Sequence, residues 1–279
     1  MKTLYISDLD GTLLQPNVEL SANTITILNE LMKQGMHFTV ATARSLATVK
    51  PILADVSIHL PIILMNGVCI YDPMKKDYIK VEYFSKTSRE ILMALISSHN
   101  LKGFAYAIKD GVLATYYEDL SNKALKDFYE ERVTKYKKPF TQIESFSRLA
   151  DDPLIYFSLM DKKEALQQVF EVVSELSDLN CVFYKDNYSK DMWYLEIFSI
   201  YASKFHAVQF IRNYLQPETI VCFGDNLNDI PLFNASNRTY AVANAVPELK
   251  QKADAIIDRN TQDGVARWLK KNFNLNSDV

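Results

Sequence analysis

Cysteine, basic charge and long apolar runs are all scarce in this sequence, and each absence excludes a class of protein. The three cysteines are widely spaced and odd in number, so they form neither a disulfide framework nor a zinc pattern, and we expect reduced thiols in a cytoplasmic protein. The net charge of -3 argues against nucleic acid as the main partner. No apolar run reaches membrane-spanning length and no signal peptide precedes the first predicted strand, so we expect no membrane association.

Glycine is also scarce, at seven residues. Three of the seven, Gly11, Gly67 and Gly224, lie in polar stretches that follow predicted strands, which suggests that these positions need backbone freedom. The remaining composition is that of an ordinary globular chain, with 48% hydrophobic and 23% charged residues. A length of 279 residues predicts about two domains.

The order of predicted elements indicates an α/β protein. Apolar strands at residues 2–7, 36–41 and 61–65 alternate with helices at 21–34 and 45–54, and the third strand is continuously apolar, as buried parallel strands are. This pattern predicts a Rossmann-like parallel sheet with helices on both faces, and it resumes near residue 203. Residues 82–189 are less regular and richer in aromatics, which predicts an inserted α+β domain within a core of residues 1–81 and 190–279.

The first strand ends on two carboxylates, Asp8 and Asp10, followed by Gly11 and Thr12. Side chains two residues apart on a strand share a face, and a bend would also bring them together. Two converging carboxylates need a cation between them, and an all-oxygen site next to a phosphate suits Mg²⁺. Taken alone, the stretch is equally compatible with an ordinary acidic turn.

Further polar residues follow other predicted strand ends or begin helices, at the edge where ligands bind in open α/β sheets. Thr42 offers a hydroxyl and neighbouring backbone amides, Lys204 a positive charge, and a loop offers more oxygen ligands through Asp225, Asn228 and Asp229. Each has a plain alternative: a helix cap, a solvated lysine, a polar loop. Together they suit phosphoryl transfer, in which a carboxylate attacks phosphorus and a second carboxylate moves the proton.

These residues resemble the motifs of the haloacid dehalogenase superfamily of phosphohydrolases, and within it the Cof-like sugar-phosphatase branch. The four matching motifs are, in chain order, Asp8-Leu9-Asp10-Gly11-Thr12-Leu13-Leu14, Thr42-Ala43-Arg44, Lys204, and Gly224-Asp225-Asn226-Leu227-Asn228-Asp229. Asn66-Gly67 and the stretches 242–250 and 263–266 resemble further patterns of that branch. One departure is Ala43, which stands where the family usually has glycine and whose Cβ restricts the backbone.

The resemblance implies an Mg²⁺-dependent phosphatase of small phosphorylated metabolites, sugar phosphates in particular, acting through an aspartyl phosphate. Asp8 would be the nucleophile and a metal ligand. Asp10 would be the general acid/base and give the metal its backbone carbonyl, and Asp225 would complete the metal's protein ligands. The phosphate would be held by Thr42, Lys204, Asn228 and the amides of Leu9 and Ala43. Asp229 would orient Lys204 or a metal-bound water, and further supporting positions are Gly11, Thr12, Arg44, Asn66 and Gly224.

The inserted domain would be the large cap of this branch, which supplies substrate contacts. Aromatic candidates for such contacts are Tyr106, Tyr116, Tyr117, Tyr184, Tyr188 and Trp193, and the alternative for each is a place in the cap's own core. The basic run 135–138 has the pattern of a solvated helix end. The sequence identifies neither the substrate nor the oligomeric state. It is compatible with a monomer.

Three other functions share part of this pattern. A phosphorelay receiver also uses a phosphorylated aspartate, Mg²⁺, a threonine and a lysine, but its phosphorylated aspartate follows the third strand and it has no large insert. A phosphomutase of the same superfamily would return the phosphoryl group to a substrate instead of water. A catalytically silent binding protein is disfavoured by the complete set of motifs.

Overall fold

The computed structural model describes residues 1–185 and 191–273. The chain divides into two compact units, a core unit of residues 1–80 with 203–279 and an inserted unit of residues 81–202. In the described residues, the chain before the insertion contributes β1 (Thr3–Ser7), α1 (Ala22–Lys33), β2 (His37–Val40), α2 (Leu46–Ile52), β3 (Ile62–Leu64), β4 (Cys69–Asp72) and β5 (Asp77–Val81).

The inserted unit and the returning chain supply the remaining elements. The inserted unit contains α3 (Lys86–Ser98), β6 (Gly103–Lys109), β7 (Val112–Tyr117), α4 (Lys123–Tyr136), β8 (Thr141–Gln142), β9 (Leu154–Asp161), α5 (Lys163–Ser174), β10 (Leu179–Lys185) and β11 (Trp193–Ser199). The returning chain forms α6 (Lys204–Leu215), β12 (Thr219–Gly224), α7 (Ile230–Asn234), β13 (Arg238–Val242), α8 (Pro247–Lys250), β14 (Ala255–Ile257) and α9 (Gly264–Asn272).

The core unit is built on a five-stranded parallel sheet in the order β14-β13-β12-β1-β2. Its interior strand β1 is apolar on both faces, since Leu4, Tyr5 and Ile6 are all buried, as expected when helices cover a parallel sheet. The chain leaves β1 toward β2 and leaves β12 toward β13, in opposite directions. The carboxyl ends of β1 and β12 therefore flank the switch point at which such sheets bind ligands.

The third predicted strand does not extend the parallel sheet. β3 pairs antiparallel with β4 in a separate sheet of order β3-β4-β5, and its parallel contact with the β2 end is a single bridge between Ala41 and Ile63. The cause is the turn at Asn66 and Gly67, whose φ angles of 55° and 98° fold the chain straight back. The apolar run thus predicts a buried strand that runs parallel to β2 at their contact, but not that its main partner is β4.

The inserted unit has a six-stranded sheet in the order β10-β11-β9-β6-β7-β8. One face carries buried residues such as Ala105, Phe157 and Leu195, which pack with apolar residues of α3 and α5 to form the unit's core. The opposite face is rich in tyrosine: Tyr106 lies against Tyr156, with ring centroids 5.6 Å apart. The unit therefore has a hydrophobic core of its own, as an independent domain requires.

The second boundary of the insertion lies after Ala202, later than the predicted boundary between residues 189 and 190. The reason is β11, which is the inner neighbour of β10 and pairs antiparallel with both β10 and β9. The sequence does predict a pairing of residues 181–184 with 193–197, and that pairing is confirmed. No helix among the described residues is long and apolar enough to cross a membrane.

Candidate active site

The motif residues of the core unit meet at the carboxyl edge of its parallel sheet. Asp8 directly follows β1, Thr42 lies just beyond β2, Asp225 directly follows β12, and Lys204 is the first residue of α6. Ser203 caps that helix by accepting a hydrogen bond from the backbone N–H of His206, as the sequence predicts. Strand geometry thus determines the positions of the acids, and one helix cap determines that of the lysine.

Lys204 is a buried cation held between two carboxylates. Its Nζ donates to Asp8 Oδ1 and to Asp229 Oδ1, both at 2.6 Å, and its side chain is fully buried. This placement excludes the alternative of a solvated lysine. Burial alone would lower the pKa of Lys204, but the charges of Asp229 and Asp8 outweigh it and raise that pKa.

Asp229 connects the lysine to the loop that follows β12. Its second oxygen, Oδ2, accepts hydrogen bonds from the backbone N–H groups of Asp225 at 2.9 Å and Asn226 at 3.2 Å, just after Gly224 ends the strand. Because Lys204 donates to the other oxygen, both oxygens of the Asp229 carboxylate are already engaged as acceptors. These hydrogen bonds indicate that Asp229 positions Lys204 and the backbone of the loop after β12.

Asp225 faces the first acidic turn. Its Oδ1 accepts a hydrogen bond from Thr12 Oγ1 at 3.0 Å. Gly11 has a φ of +76°, and a Cβ at this position would collide with the Asp225 carboxylate. Both the backbone conformation and the close approach therefore require glycine at residue 11.

Three carboxylates, those of Asp8, Asp225 and Asp229, each offer an oxygen within 4.8 Å of the others. Burial and the charge of Asp229 raise the pKa of Asp8, and the same two causes raise the pKa of Asp225 to about 6. Such mutual repulsion is relieved by a cation bound among the oxygens. Because Asp229 is already hydrogen-bonded at both oxygens, Asp8 and Asp225 are the side chains best suited to hold a divalent metal.

The carboxylate of Asp10 has a different environment from that of Asp8. Both of its oxygens accept hydrogen bonds from the Arg44 guanidinium, from Nε and Nη2, each at 2.7 Å. The side chain is 47% exposed, and it is not part of the three-acid cluster. The expectation that the two N-terminal carboxylates converge on one ion is therefore wrong for their side chains, since the bend after β1 turns Asp10 toward Arg44.

The predicted phosphate-binding residues line the same edge. Thr42 is fully buried, and its hydroxyl accepts a hydrogen bond from the backbone N–H of Arg44 at 3.1 Å. Ala43 is exposed between them. The exposed amide of Asn228 donates to Asn66 Oδ1 at 3.2 Å, which ties the loop after β12 to the turn after β3.

Leu9 contributes its backbone to the acidic turn. Its side chain is fully buried, and its carbonyl accepts hydrogen bonds from the backbone N–H groups of Thr12, Leu13 and Leu14. These bonds hold the turn that presents Asp8 and Asp10 in a compact conformation.

Asn244 supports the site in a way that sequence reasoning missed. Its Nδ2 donates to the Gly11 carbonyl at 2.7 Å, and its Oδ1 accepts from the backbone N–H of Asn260 at 3.0 Å. The backbone N–H of Val246 also donates to the Asp225 carbonyl, at 2.9 Å. The stretch 242–250 matches a family pattern, and that match was the one signal that could have identified this role.

The aromatic candidates of the inserted unit have different surroundings. Tyr116 and Trp193 pack against the unit's hydrophobic core, and Tyr117 contacts Phe104 and Tyr129, which fits the core alternative. Tyr106 is buried on the tyrosine-rich face. Tyr184 is 38% exposed and donates to Glu196, and the remaining candidate, Tyr188, lies outside the described residues.

Comparison with known proteins identifies clear relatives. Residues 5–269 match the family described as haloacid dehalogenase-like hydrolase. The 5-amino-6-(5-phospho-D-ribitylamino)uracil phosphatase of Bacillus subtilis is 25% identical, over 98% of this chain and 98% of that protein. The pyridoxal phosphate phosphatase of Escherichia coli is 24% identical, over 94% and 95%. A crystal structure from Thermotoga maritima has a TM-score of 0.81 at 25% identity, covering 97% of each chain.

Proposed function

The chain belongs to the haloacid dehalogenase-like hydrolases and is a phosphoric monoester hydrolase, and from that premise we propose that it hydrolyses small phosphorylated metabolites with Mg²⁺ and a phosphoenzyme intermediate on Asp8. The observation that carries this proposal is the buried ion pair of Asp8 with Lys204 at 2.6 Å. A carboxylate that is removed from water but held in one orientation by a cation is suited to nucleophilic attack. The family also argues against a phosphorelay receiver.

The donor set supports Mg²⁺ as the cofactor. The acidic oxygens are hard ligands, which Mg²⁺ prefers, and few of them are protein carboxylates, as is usual where a phosphate completes the coordination. We propose that Asp8 and Asp225 bind the ion through their side chains and Asp10 through its backbone carbonyl. When bound, the ion would neutralise charge on the phosphoryl oxygens and favour the ionised form of Asp8.

In the first half-reaction, an Asp8 carboxylate oxygen attacks phosphorus, and the bond from phosphorus to the ester oxygen breaks. The leaving oxygen takes a proton from Asp10, so the products are the alcohol and an aspartyl phosphate on Asp8. Lys204 stabilises the negative charge that the attacking and transferring groups share. Thr42 and Asn228, with the amides of Leu9 and Ala43, hold the phosphoryl oxygens.

In the second half-reaction, water attacks phosphorus, and the bond from phosphorus to the Asp8 oxygen breaks. Asp10, now ionised, takes the proton of that water, so inorganic phosphate leaves and both aspartates return to their starting states. For each transfer Asp10 has to exchange its two hydrogen bonds with Arg44 for the reacting oxygen. The Asp10 side chain is partly exposed, which leaves room for it to rotate away from Arg44.

The substrate class is supported by the relatives. The two phosphatases compared above act, by name, on a phosphorylated ribitylaminouracil and on pyridoxal phosphate, which are small organic phosphate esters of unlike structure. We propose a substrate of the same general size, with phosphorylated sugars as the first group to examine.

A screen of phosphorylated metabolites, scored by release of inorganic phosphate, tests this function. We expect release with Mg²⁺, none after exhaustive chelation, and recovery when Mg²⁺ is restored. The Asp8→Asn variant, which keeps the side-chain volume, is the control for contaminating phosphatases. Full activity after chelation would contradict the metal proposal, and transfer to a second sugar without phosphate release would indicate a phosphomutase.

A further inference from the structure

The basic run at the end of α4 contains one lysine that is not solvated, contrary to the expectation from the sequence. Lys137 has a left-handed conformation with a φ of 52°, and the backbone N–H groups of Lys137 and Lys138 donate to the carbonyls of Val133 and Arg132. In this type of helix ending the residue after the left-handed one folds back, and an apolar side chain normally fills the position. Here Lys138 fills it and is only 5% exposed.

Lys138 is surrounded by aromatic rings and lacks a counter-ion. Its Nζ lies 4.4 Å from the centre of the Tyr106 ring and 4.9 Å from that of Phe140, and within residues 1–185 and 191–273 no carboxylate forms an ion pair with it. Burial, together with the charge of Arg132, lowers the pKa of Lys138 to about 7. Ring contacts offset only part of the free energy of burying an ammonium group.

A second unsatisfied polar group adjoins the same ring. Thr115 is 2% exposed, and in the described part of the chain its Oγ1 has no hydrogen-bond partner. Thr115 stands directly opposite Tyr106 in the pairing of β7 with β6, so the two side chains lie on the same face of the sheet. Buried hydroxyls are rarely left unpaired, and this one shares a sheet face with the ring that the Lys138 ammonium contacts.

The charged side chains nearest to this place have partners other than Lys138. The Arg132 guanidinium stacks 3.4 Å above the centre of the Phe128 ring and pairs with Glu131. Glu196, a buried acid on the tyrosine-rich face, accepts a hydrogen bond from Tyr184 at 3.1 Å, and burial raises its pKa. Tyrosine hydroxyls, and not Lys138, therefore satisfy that acid.

We propose that the inserted unit contains an anion-binding site in which the Lys138 ammonium and the Thr115 hydroxyl hold a carboxylate or phosphate group beside Tyr106, with Arg132 adding positive potential. All of these residues lie within residues 81–202, and none takes part in the phosphoryl transfer described above. The site thus goes beyond the proposed function. It accounts for a buried hydroxyl that has no hydrogen-bond partner among the described residues, and for a buried lysine where this helix ending favours an apolar residue.

The side-chain nitrogen resonances of ¹⁵N-labelled lysines test the site directly. The full-length, metal-free protein is titrated with sulfate and, separately, with malonate, and the Lys138 resonance is assigned by its loss in Lys138→Met. We expect the Lys138 resonance to move to a saturating limit. Lys204 reports anion binding at the active site in the same spectra, so the two sites are distinguished and failure of one does not imply failure of the other.

Two variants separate binding from folding. Lys138→Met should fold and be at least as stable as the wild type, because an apolar side chain suits this position and removes a buried charge. Lys135→Met removes the same charge from an exposed position of the same helix and should leave the Lys138 response unchanged. If Lys138→Met does not fold, the decisive comparison is between the titrations of the wild type and of Lys135→Met.

The two probes distinguish the classes of anion that the site takes. Saturation by malonate alone indicates a carboxylate ligand, and saturation by sulfate alone indicates a phosphate-like ligand. A Lys138 resonance that stays in place while Lys204 saturates, or drifts linearly as exposed lysines do, would overturn the proposal.

Discussion

At the residue scale, the fully buried carboxylate of Asp229 positions several other groups of the site. It holds Lys204 through one oxygen and the backbone of Asp225 and Asn226 through the other. Its charge also acts over distance, since it is the second cause, after burial, of the raised pKa values of Asp8 and Asp225. The site is therefore arranged around repulsion that a bound cation would relieve.

The first prediction follows from this repulsion and concerns stability against pH in the metal-free protein. Asp225 has a pKa of about 6 in the folded protein, against an ordinary value of 3.8 for an aspartate in water. The folded state thus binds more protons than the unfolded state between these values, so the free energy of unfolding should fall as the pH rises from about 4 to about 6. The expected loss is about 2–3 kcal/mol at most, measured by urea unfolding at each pH.

Asp225→Asn is the matched control for this measurement. The variant keeps the side-chain size but cannot ionise, so it should lose much of the slope, and the remainder should come from Asp8, whose pKa is also raised. Saturating Mg²⁺ should restore stability at pH 7 in the wild type, because a ligand that binds only the folded state stabilises it. If the stability of Asp225→Asn changed with pH in the same way as that of the wild type, the raised pKa of Asp225 would be contradicted.

At the scale of elements, the position of Lys204 depends on the contact between α6 and the turn after β3. Gly67 in that turn has a φ of +98°, and a Cβ on it would collide with the Ser203 carbonyl, at the residue that caps α6. The turn and the helix therefore pack backbone against backbone. This contact is the reason that a turn without any catalytic side chain is part of the site.

Gly67→Ala should therefore reduce both stability and turnover. We expect it to destabilise the protein by more than the about 1–2 kcal/mol that a left-handed conformation alone costs, and to lower kcat by displacing Lys204. Gly35→Ala is the control, since Gly35 has a φ of +95° but a Cβ on it would meet no atom of the described residues within 4 Å. It should show the conformational cost alone, with kcat unchanged. Equal effects of the two variants on kcat would argue against the close contact.

Most of the core elements and the placement of the motif residues could be predicted from the sequence, because apolar strands and short polar motifs are local signals. Asp8, Asp225 and Lys204 stand at the element ends where the strand and cap patterns predict them. Two strand pairings could not be predicted: that of β3 with β4 in a separate sheet, and that of β11 with β9, which places residues 193–199 in the inserted unit. A local apolar pattern does not specify which strand becomes the partner. The burial of Lys138 also escaped prediction, because a basic run at a helix end normally indicates solvent.

At the scale of the whole molecule, the chain consists of two units with separate cores. The core of the inserted unit comprises residues from α3, β6, β9, α5 and β11, all between residues 81 and 202. Its chain enters and leaves at Val81 and Ala202, so excision cuts the backbone at two places only. This organisation is that of a domain inserted into a loop of another.

We therefore predict that residues 81–202 fold when produced alone. The fragment should show helix and sheet signals by circular dichroism and a cooperative urea transition. Leu195→Ala, at a fully buried core position of β11, should lower its stability by about 2–5 kcal/mol, which verifies that the transition reports this core. A fragment with no cooperative transition would show that the unit depends on the rest of the chain.

The central claim is that Asp8 carries the phosphoryl group and that Asp10 moves the protons. Breaking a sugar phosphate expels a poor alkoxide that needs a proton, whereas p-nitrophenyl phosphate expels a stable phenolate that hardly does. Asp10→Ala should thus slow phosphorylation by a sugar phosphate by roughly 10²–10⁴-fold and by the aryl ester much less. Hydrolysis of the aspartyl phosphate needs the base in both cases, so the variant should accumulate phosphoenzyme.

The most direct test is to mix Asp10→Ala with p-nitrophenyl phosphate and Mg²⁺, quench in acid, and locate the phosphoryl group by mass spectrometry of peptides. Asp8→Asn in the same background serves as the control, and Mg²⁺ binding by Asp10→Ala is measured first, since Asp10 would also give the metal its backbone carbonyl. We predict a rapid burst of nitrophenolate near one per active site, a slow steady rate, and one phosphoryl group on Asp8. Intact Mg²⁺ binding without a burst, with both esters slowed equally and Asp8 unmodified, would contradict the proposed roles of the two aspartates.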